Sequence, residues 1–246
     1  MQKKPVRRAE PGSSSVAEPQ PWEVEFAQDL PGVPVLLETI LRLDLEVQEP
    51  CPDLRVLSQL VLSDLGATLQ ILRMAAEEHG DAPDRPSRIE DCIAALGASA
   101  CIQAVSAQAV LHDARYSAIT ETWAHAREIA HYSKLVAEEM EDVNPDEAYM
   151  VGLLHAVGLL PAALGWSGSE RKTFDAALAG LQMARQWSLP KGVVDYFREV
   201  SQVGLSQAGS ETQWPEIVHK AHKASNRSSI LCPLERGVRP LLYRAV

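Results

Sequence analysis

The chain has 246 residues, of which 46% are hydrophobic and only 5% aromatic, and its formal net charge is −10. This length suits one large domain or two modest ones with a buried core. Nonspecific nucleic-acid binding requires a basic surface, so the acidic balance argues against DNA or RNA as a partner. The apolar content is largely Ala, Leu and Val, and the good helix formers Ala and Leu favour an all-α fold.

The cysteines are widely spaced and contain no Cys-x-x-Cys pair, which argues against a zinc ribbon or a thioredoxin-like site. We therefore expect free, buried or partly buried thiols in a cytoplasmic protein. No apolar run approaches the roughly 18 residues that cross a membrane. The basic N-terminus is not followed by the hydrophobic core of a signal peptide. The sequence thus predicts a cytoplasmic location and no membrane contact.

The first half of the chain predicts a disordered arm followed by short helices. Residues 1–24 are rich in Pro, Ser and charge and cannot bury enough apolar surface to fold. Pro34 suits the first turn of a helix, and Asp53 is a plausible N-cap of the next one. Ser87 and Glu90 fit a capping box, and Gly97 ends the helix that they open. Residues 98–112 read as a further helix.

The second half predicts longer helices. One runs over about 119–141, with Trp123 and Leu135 among its inner residues. Asn144 and Pro145 form a strong helix start, and the apolar helix that follows carries His155. Further helices are expected over about 170–187, 190–201 and 215–226, and no segment alternates convincingly enough for a strand.

Several stretches resemble the HDOD family (HD-related output domain) of bacterial signalling proteins, and they occur in the family's order. They are Leu30–Pro34, Leu60–Leu69, Ser87–Gly97, Trp123–His125 and Gly152–Gly158. The resemblance implies an HD-like helical bundle with a smaller N-terminal helical lobe, and a non-catalytic regulatory role. On this basis we divide the chain into the arm (1–24), the N-terminal lobe (25–113), a degenerate HD-like bundle (114–226) and a C-terminal extension (227–246).

The resemblance also identifies positions of a lost metal centre. A catalytic HD site uses a first histidine, a His-Asp doublet and a later aspartate around metal ions that activate water. Here His125 and His155 match the two histidines, but Ala156 replaces the aspartate of the doublet, and a methyl group cannot hold a hard cation. Asp175 stands where relatives have a histidine. We therefore predict no catalytic residue, no metal and no cofactor.

Two other hypotheses stay open, both on the same scaffold. One is a residual metal-dependent phosphohydrolase, and the other is a nucleotide-sensing module, with a small nucleotide as a less favoured ligand. The leading prediction is binding to another signalling protein. Candidate interface residues are Trp22 and Trp166, which are predicted in loops, and Glu138 and Glu139, which lie where the helix dipole disfavours acids.

Overall fold

A computed structural model describes residues 32–80, 85–111, 115–166, 175–202 and 213–225, with the side chains of 115–118 and 202 excepted. The expected N-terminal arm and C-terminal extension lie outside these residues, as does Trp22. The expected boundary near residue 113 also lies outside them, so the domain division stays a prediction.

The N-terminal lobe is built from short helices around a shared apolar core. Its described helices are α1 (Leu37–Val47), α2 (Leu54–Leu62), α3 (Leu65–His79), α4 (Ile89–Leu96) and α5 (Ala98–Ser106). Asp53 caps α2 as predicted, because its carboxylate accepts the Arg55 N–H at 2.8 Å. Gly97 separates α4 from α5 with a φ of 86°, a conformation that favours glycine.

Two predicted helix starts in this lobe are wrong. Pro34 lies before α1, which begins only at Leu37, and the fully buried Val35 pairs with Val110 as an isolated parallel bridge. The capping box at Ser87 does not form: α4 begins at Ile89, and its N-cap is Arg88, which makes no side-chain capping bond. At the first of these places, the tertiary pairing of Val35 with Val110 keeps the chain out of the helix until Leu37.

The second part of the chain forms the histidine-bearing bundle. Its described helices are α6 (Arg115–Glu138), α7 (Pro145–Leu154), α8 (Leu160–Leu164), α9 (Ala176–Gln186), α10 (Lys191–Gln202) and α11 (Trp214–Ala224), with a 3-10 turn (Val157–Leu159) before α8. Asn144 caps α7 as predicted by accepting the N–H groups of Asp146 and Glu147. Leu135, expected inside, is 42% exposed.

The main hydrophobic core runs through both parts, a smaller cluster of Ala137, Ala148 and Ile217 lies beside it among the described residues, and the all-α prediction is confirmed. The Trp123 indole N–H on α6 donates to the Leu62 carbonyl at the end of α2 at 3.1 Å. The lobe therefore rests directly against α6, the helix that carries His125.

One apolar stretch departs from expectation. Pro145–Leu164 is long and apolar enough to span a membrane by length and composition, and the bent pair Ile89–Leu96 and Ala98–Ser106 passes the same test when taken together. However, 83% of the Pro145–Leu164 window is buried inside the protein. A buried core helix can be as long and as apolar as a membrane span, so this stretch is only weak support for membrane contact.

Candidate functional site

Three buried histidine rings from three different helical segments meet in the bundle. His125 lies on α6, His155 directly follows α7, and His222 lies on α11; their residues are 5%, 5% and 8% exposed. Ring centroids are 5.8 Å apart for His125 and His155, 5.1 Å for His125 and His222, and 5.0 Å for His155 and His222. One ring nitrogen from each lies within 4.8 Å of the others. We call these residues the histidine cluster.

Close packing of α7 on α6 places His155. A Cβ atom at Gly152 would lie 2.5 Å from Ser133 Oγ and 2.8 Å from Ala130 Cα, so only glycine allows this approach. His155 Nδ1 lies 2.7 Å from the Gly152 carbonyl oxygen and donates its proton there. In a neutral imidazole whose Nδ1 carries the proton, Nε2 is the nitrogen with the lone pair.

Helix α11 brings the third ring. Ile217, Val218 and Ala221 are buried on the same face as His222. At the end of the helix, the buried Ser225 hydroxyl donates to Glu128 Oε1 at 2.8 Å, and Glu128 is on α6, three residues after His125. This bond holds the C-terminal end of α11 against the helix that carries His125.

His222 supplies the cluster with an uncharged nitrogen donor. Burial, together with the neighbouring His155 and His125, lowers the pKa of His222 to about 2. An imidazole with so low a pKa is neutral at physiological pH, and neutral imidazole is the form that binds metals.

The four positions identified by resemblance have different roles in the structure. His125 and His155 lie together, and Ala156, which directly follows His155, is buried. Asp175 instead caps α9, where its carboxylate accepts the N–H groups of Ala177 and Leu178. Within the described residues, the group that could hold a metal contains three histidines and no carboxylate.

Sequence reasoning missed His222. A helix over 215–226 was predicted, but the rings that His222 contacts, those of His155 and His125, lie 67 and 97 residues away along the chain. The spacing of residues within the helix does not indicate them. The available signal was periodicity: positions 217, 218, 221 and 222 form one helical face. His222 is the polar residue on that otherwise apolar face.

The candidate interface residues differ in exposure. Glu138 and Glu139 are exposed near the end of α6. Trp166 is half-buried and packs against the core, and its backbone N–H donates to the Pro161 carbonyl at 2.8 Å. Part of the Trp166 side chain is therefore engaged in packing against the core.

A more apolar surface lies on α1. Leu37, Leu41 and Leu45 are 51%, 55% and 66% exposed, and their spacing of four residues puts them on one side of the helix. An ion pair of 2.6 Å between Arg42 and Glu38 lies on the same helix. We call the three leucines the α1 leucine face.

A pocket of about 180 Å³ lies between the lobe and the bundle. Arg88 on the lobe side and Lys134, Asp146 and Tyr149 on the bundle side contribute to its walls. Lys134 Nζ donates to Asp146 at 2.8 Å, and Arg88 approaches the other carboxylate oxygen at 3.6 Å. The Lys134 hydrogen bond is the main cause that lowers the Asp146 pKa.

Comparison with known families decides the assignment. A model of the HDOD domain matches residues 33–166, which is more than half of the chain. The chain belongs to the HDOD family. The HDOD match includes His125 and His155 and ends before His222. Among curated proteins none matches this sequence.

Two crystal structures of the MmoQ response regulator from Methylococcus capsulatus str. Bath share the fold of this chain. One is 24% identical with a TM-score of 0.61, covering 85% of this chain and 91% of that one. The other is 21% identical with a TM-score of 0.60, covering 84% and 92%. The likeness extends well beyond the 134 residues of the family match.

Proposed function

We propose that this HDOD protein is a non-catalytic regulator in signal transduction that binds another protein through the α1 leucine face. The observation that carries the proposal is the exposure of Leu37, Leu41 and Leu45 on one side of one helix. Single exposed leucines are common on protein surfaces, but adjacent ones form an apolar patch of the kind that marks interaction sites.

The chemistry of the surrounding helix fits a protein partner. The ion pair of Glu38 and Arg42 gives α1 a polar side next to its apolar one. An amphipathic helix of this type docks its apolar face against a groove or another helix of a partner. The acidic residues Glu138 and Glu139 remain a second, weaker candidate surface, since they are solvated and lack apolar anchors.

The residues at the degenerate site support a non-catalytic role. The Ala156 side chain has no oxygen to offer a metal, and the Asp175 carboxylate is engaged in capping α9. An HD-type hydrolase needs carboxylates to hold the hard ions that activate water. The description of the MmoQ relatives as response regulators is in keeping with a signalling role.

The test is recovery of a partner from extracts of the source cell with the full chain as bait. Leu41→Glu places a charge in the centre of the α1 leucine face, and we expect it to abolish recovery of proteins that the natural chain binds. Leu135→Glu makes the same change at an exposed leucine of α6 and is the control. Equal recovery by Leu41→Glu, or no specific partner for the natural chain, would contradict the proposal.

Nucleotide sensing stays the second candidate because the interlobe pocket offers Arg88 and Lys134 to a phosphate. Its volume of about 180 Å³ is below the roughly 300–1,000 Å³ of typical ligand pockets, which disfavours a whole nucleotide. Calorimetric titration with cyclic di-GMP addresses it, and flat heats would remove it. Metal-stimulated phosphate release is the corresponding test of the phosphohydrolase alternative.

A further inference from the structure

The histidine cluster has the composition of a transition-metal site that differs from an HD centre. The HD positions supply only His125 and His155, and from these the sequence predicts no metal. The third nitrogen comes from His222 on α11, beyond the family match. Three helical segments thus converge with one imidazole each.

The donor set selects the class of ion. Neutral imidazole nitrogens suit Zn²⁺, Cu²⁺, Ni²⁺ and Fe²⁺, whereas Mg²⁺, Ca²⁺ and Mn²⁺ prefer carboxylate and water oxygens. Since the cluster contains no carboxylate, it favours the first class. Replacing Asp with Ala156 removes an oxygen donor from the family position, and His222 adds a nitrogen donor from elsewhere.

The spacing of the nitrogens is close to what a single ion requires. Nitrogens about 2.0–2.1 Å from a tetrahedral Zn²⁺ lie about 3.4 Å from one another. The three nitrogens of the cluster are within 4.8 Å of one another, so each ring has to move by less than about 1 Å to close on an ion. Small rotations of the side chains cover that distance.

One ligand is already oriented as metal-binding histidines are. His155 donates from Nδ1 to the Gly152 carbonyl, which directs Nε2 away from that carbonyl. Such a bond to a backbone carbonyl fixes the tautomer and orientation of metal-bound histidines in many proteins. The bond between Ser225 and Glu128 similarly holds α11 near α6.

We propose that His125, His155 and His222 together bind one divalent transition-metal ion of the Zn²⁺ class, which fastens α11 to α6 and α7. The ion stabilises the position of α11 and carries no hydrolytic role in this proposal. The inference is independent of the α1 leucine face, which lies on another helix, so either proposal can fail without the other.

The experiment titrates the chelator-treated full chain with Co²⁺ alone, followed by optical absorption, and then displaces Co²⁺ with Zn²⁺. We expect about one equivalent of Co²⁺ in a low-symmetry, nitrogen-rich environment and no displacement by Mg²⁺. His222→Asn should weaken Co²⁺ binding by more than about 100-fold. Changes at residues that only hydrogen-bond to metal ligands already lower metal affinity by about 10–100-fold. The control is His219→Asn, one turn earlier on the same helix and outside the cluster, which should bind as the natural chain does.

A measurement on the natural chain guards against a variant that fails to fold. In ¹⁵N spectra of the histidine rings, Zn²⁺ should shift three imidazoles at one equivalent and leave His131 and His219 unchanged. Binding far below one equivalent, shifts at other histidines, or unchanged Co²⁺ affinity in a folded His222→Asn variant would each overturn the proposal.

Discussion

At the scale of single residues, Asp64 shows how one buried carboxylate joins two elements. It accepts the Ala67 N–H as the N-cap of α3 at 3.1 Å, and the Leu36 N–H before α1 at 2.7 Å. Burial raises its pKa against the lowering effect of these bonds. The residue therefore carries a desolvation cost that its hydrogen bonds must offset.

We predict that Asp64→Ala lowers the free energy of unfolding by about 1–3 kcal/mol, because it removes a cap and leaves two backbone donors unsatisfied. Asp53→Ala, at an exposed cap of α2, should cost less, about 0.5–1 kcal/mol. Urea unfolding of both variants checks this. A smaller loss for Asp64→Ala than for Asp53→Ala would contradict the role of Asp64 in joining two elements.

Single residues also show which parts of the histidine cluster could be predicted from the sequence. His125 and His155 could be named because the family motifs surround them. His222 could not, because no motif surrounds it and its partners come from distant helices. The capping of α9 by Asp175 was missed because the helix was expected over about 170–187, which placed Asp175 inside it instead of at the N-cap before Ala176.

At the scale of elements, Gly152 controls how closely α7 approaches α6. A Cβ there would collide with backbone at Ala130 Cα, 2.8 Å away, which cannot rotate aside. At Gly192 in α10 the nearest atom to an added Cβ is instead Glu147 Oε1, 2.7 Å away at the end of a flexible side chain. Gly152 and Gly192 can therefore be compared directly, because an added Cβ meets fixed backbone at the first and a movable side chain at the second.

Gly152→Ala should lower the free energy of unfolding by about 1–3 kcal/mol, as overpacking does elsewhere. Gly192→Ala should be nearly neutral, because Glu147 can turn away and alanine is the better helix former. Thermal unfolding of both variants is the measurement. Equal stability of Gly152→Ala and the natural chain would mean that α7 can shift without cost.

Element boundaries were predictable where local chemistry sets them. Asn144 with Pro145 and Asp53 both begin helices as predicted, since a side chain and the adjacent backbone suffice. The inner face of α6 was predicted less well: the buried positions Trp123, Ala126, Ala130, Ser133 and Ala137 follow a helical stripe that excludes Leu135. Size and hydrophobicity favoured the leucine, but small residues are needed where α7 packs closely.

At the scale of the whole molecule, Asp146 links the lobe to the bundle. Its carboxylate on α7 contacts Lys134 on α6 and Arg88 at the start of α4. The pKa of Asp146 is lowered, mainly by the Lys134 hydrogen bond. Because its side chain is 36% exposed, solvent screening keeps the contribution of these pairs small.

We predict that Asp146→Asn costs less than about 1 kcal/mol at pH 7. A folded-state pKa below the ordinary 3.8 means that the carboxylate stabilises the fold above pH 3.8, and that this stability is lost as pH falls through the lowered pKa. The difference between the two proteins should thus disappear in acid. Urea unfolding from pH 7 to pH 3 measures it, and a difference that grows toward pH 3 would contradict the prediction.

The two-part helical architecture follows from helix-forming composition and the order of motifs, which is why the all-α fold could be predicted. The surface that we propose for a partner could not be, because α1 reads as an ordinary amphipathic helix. Leu41 and Leu43 look equivalent in sequence, yet packing leaves Leu41 55% exposed and Leu43 2% exposed.

The thiols offer a practical way to observe this surface. Burial raises the pKa of Cys92 to about 12 and that of Cys101 to about 11, so neither forms the thiolate that alkylating dyes require. Cys51 is exposed in the turn between α1 and α2, four residues after Val47. Once Cys232, which lies outside the described residues, is changed to serine, we expect a fluorophore to attach at Cys51, six residues after Leu45, and to report the arrival of a binding protein as a change in its emission.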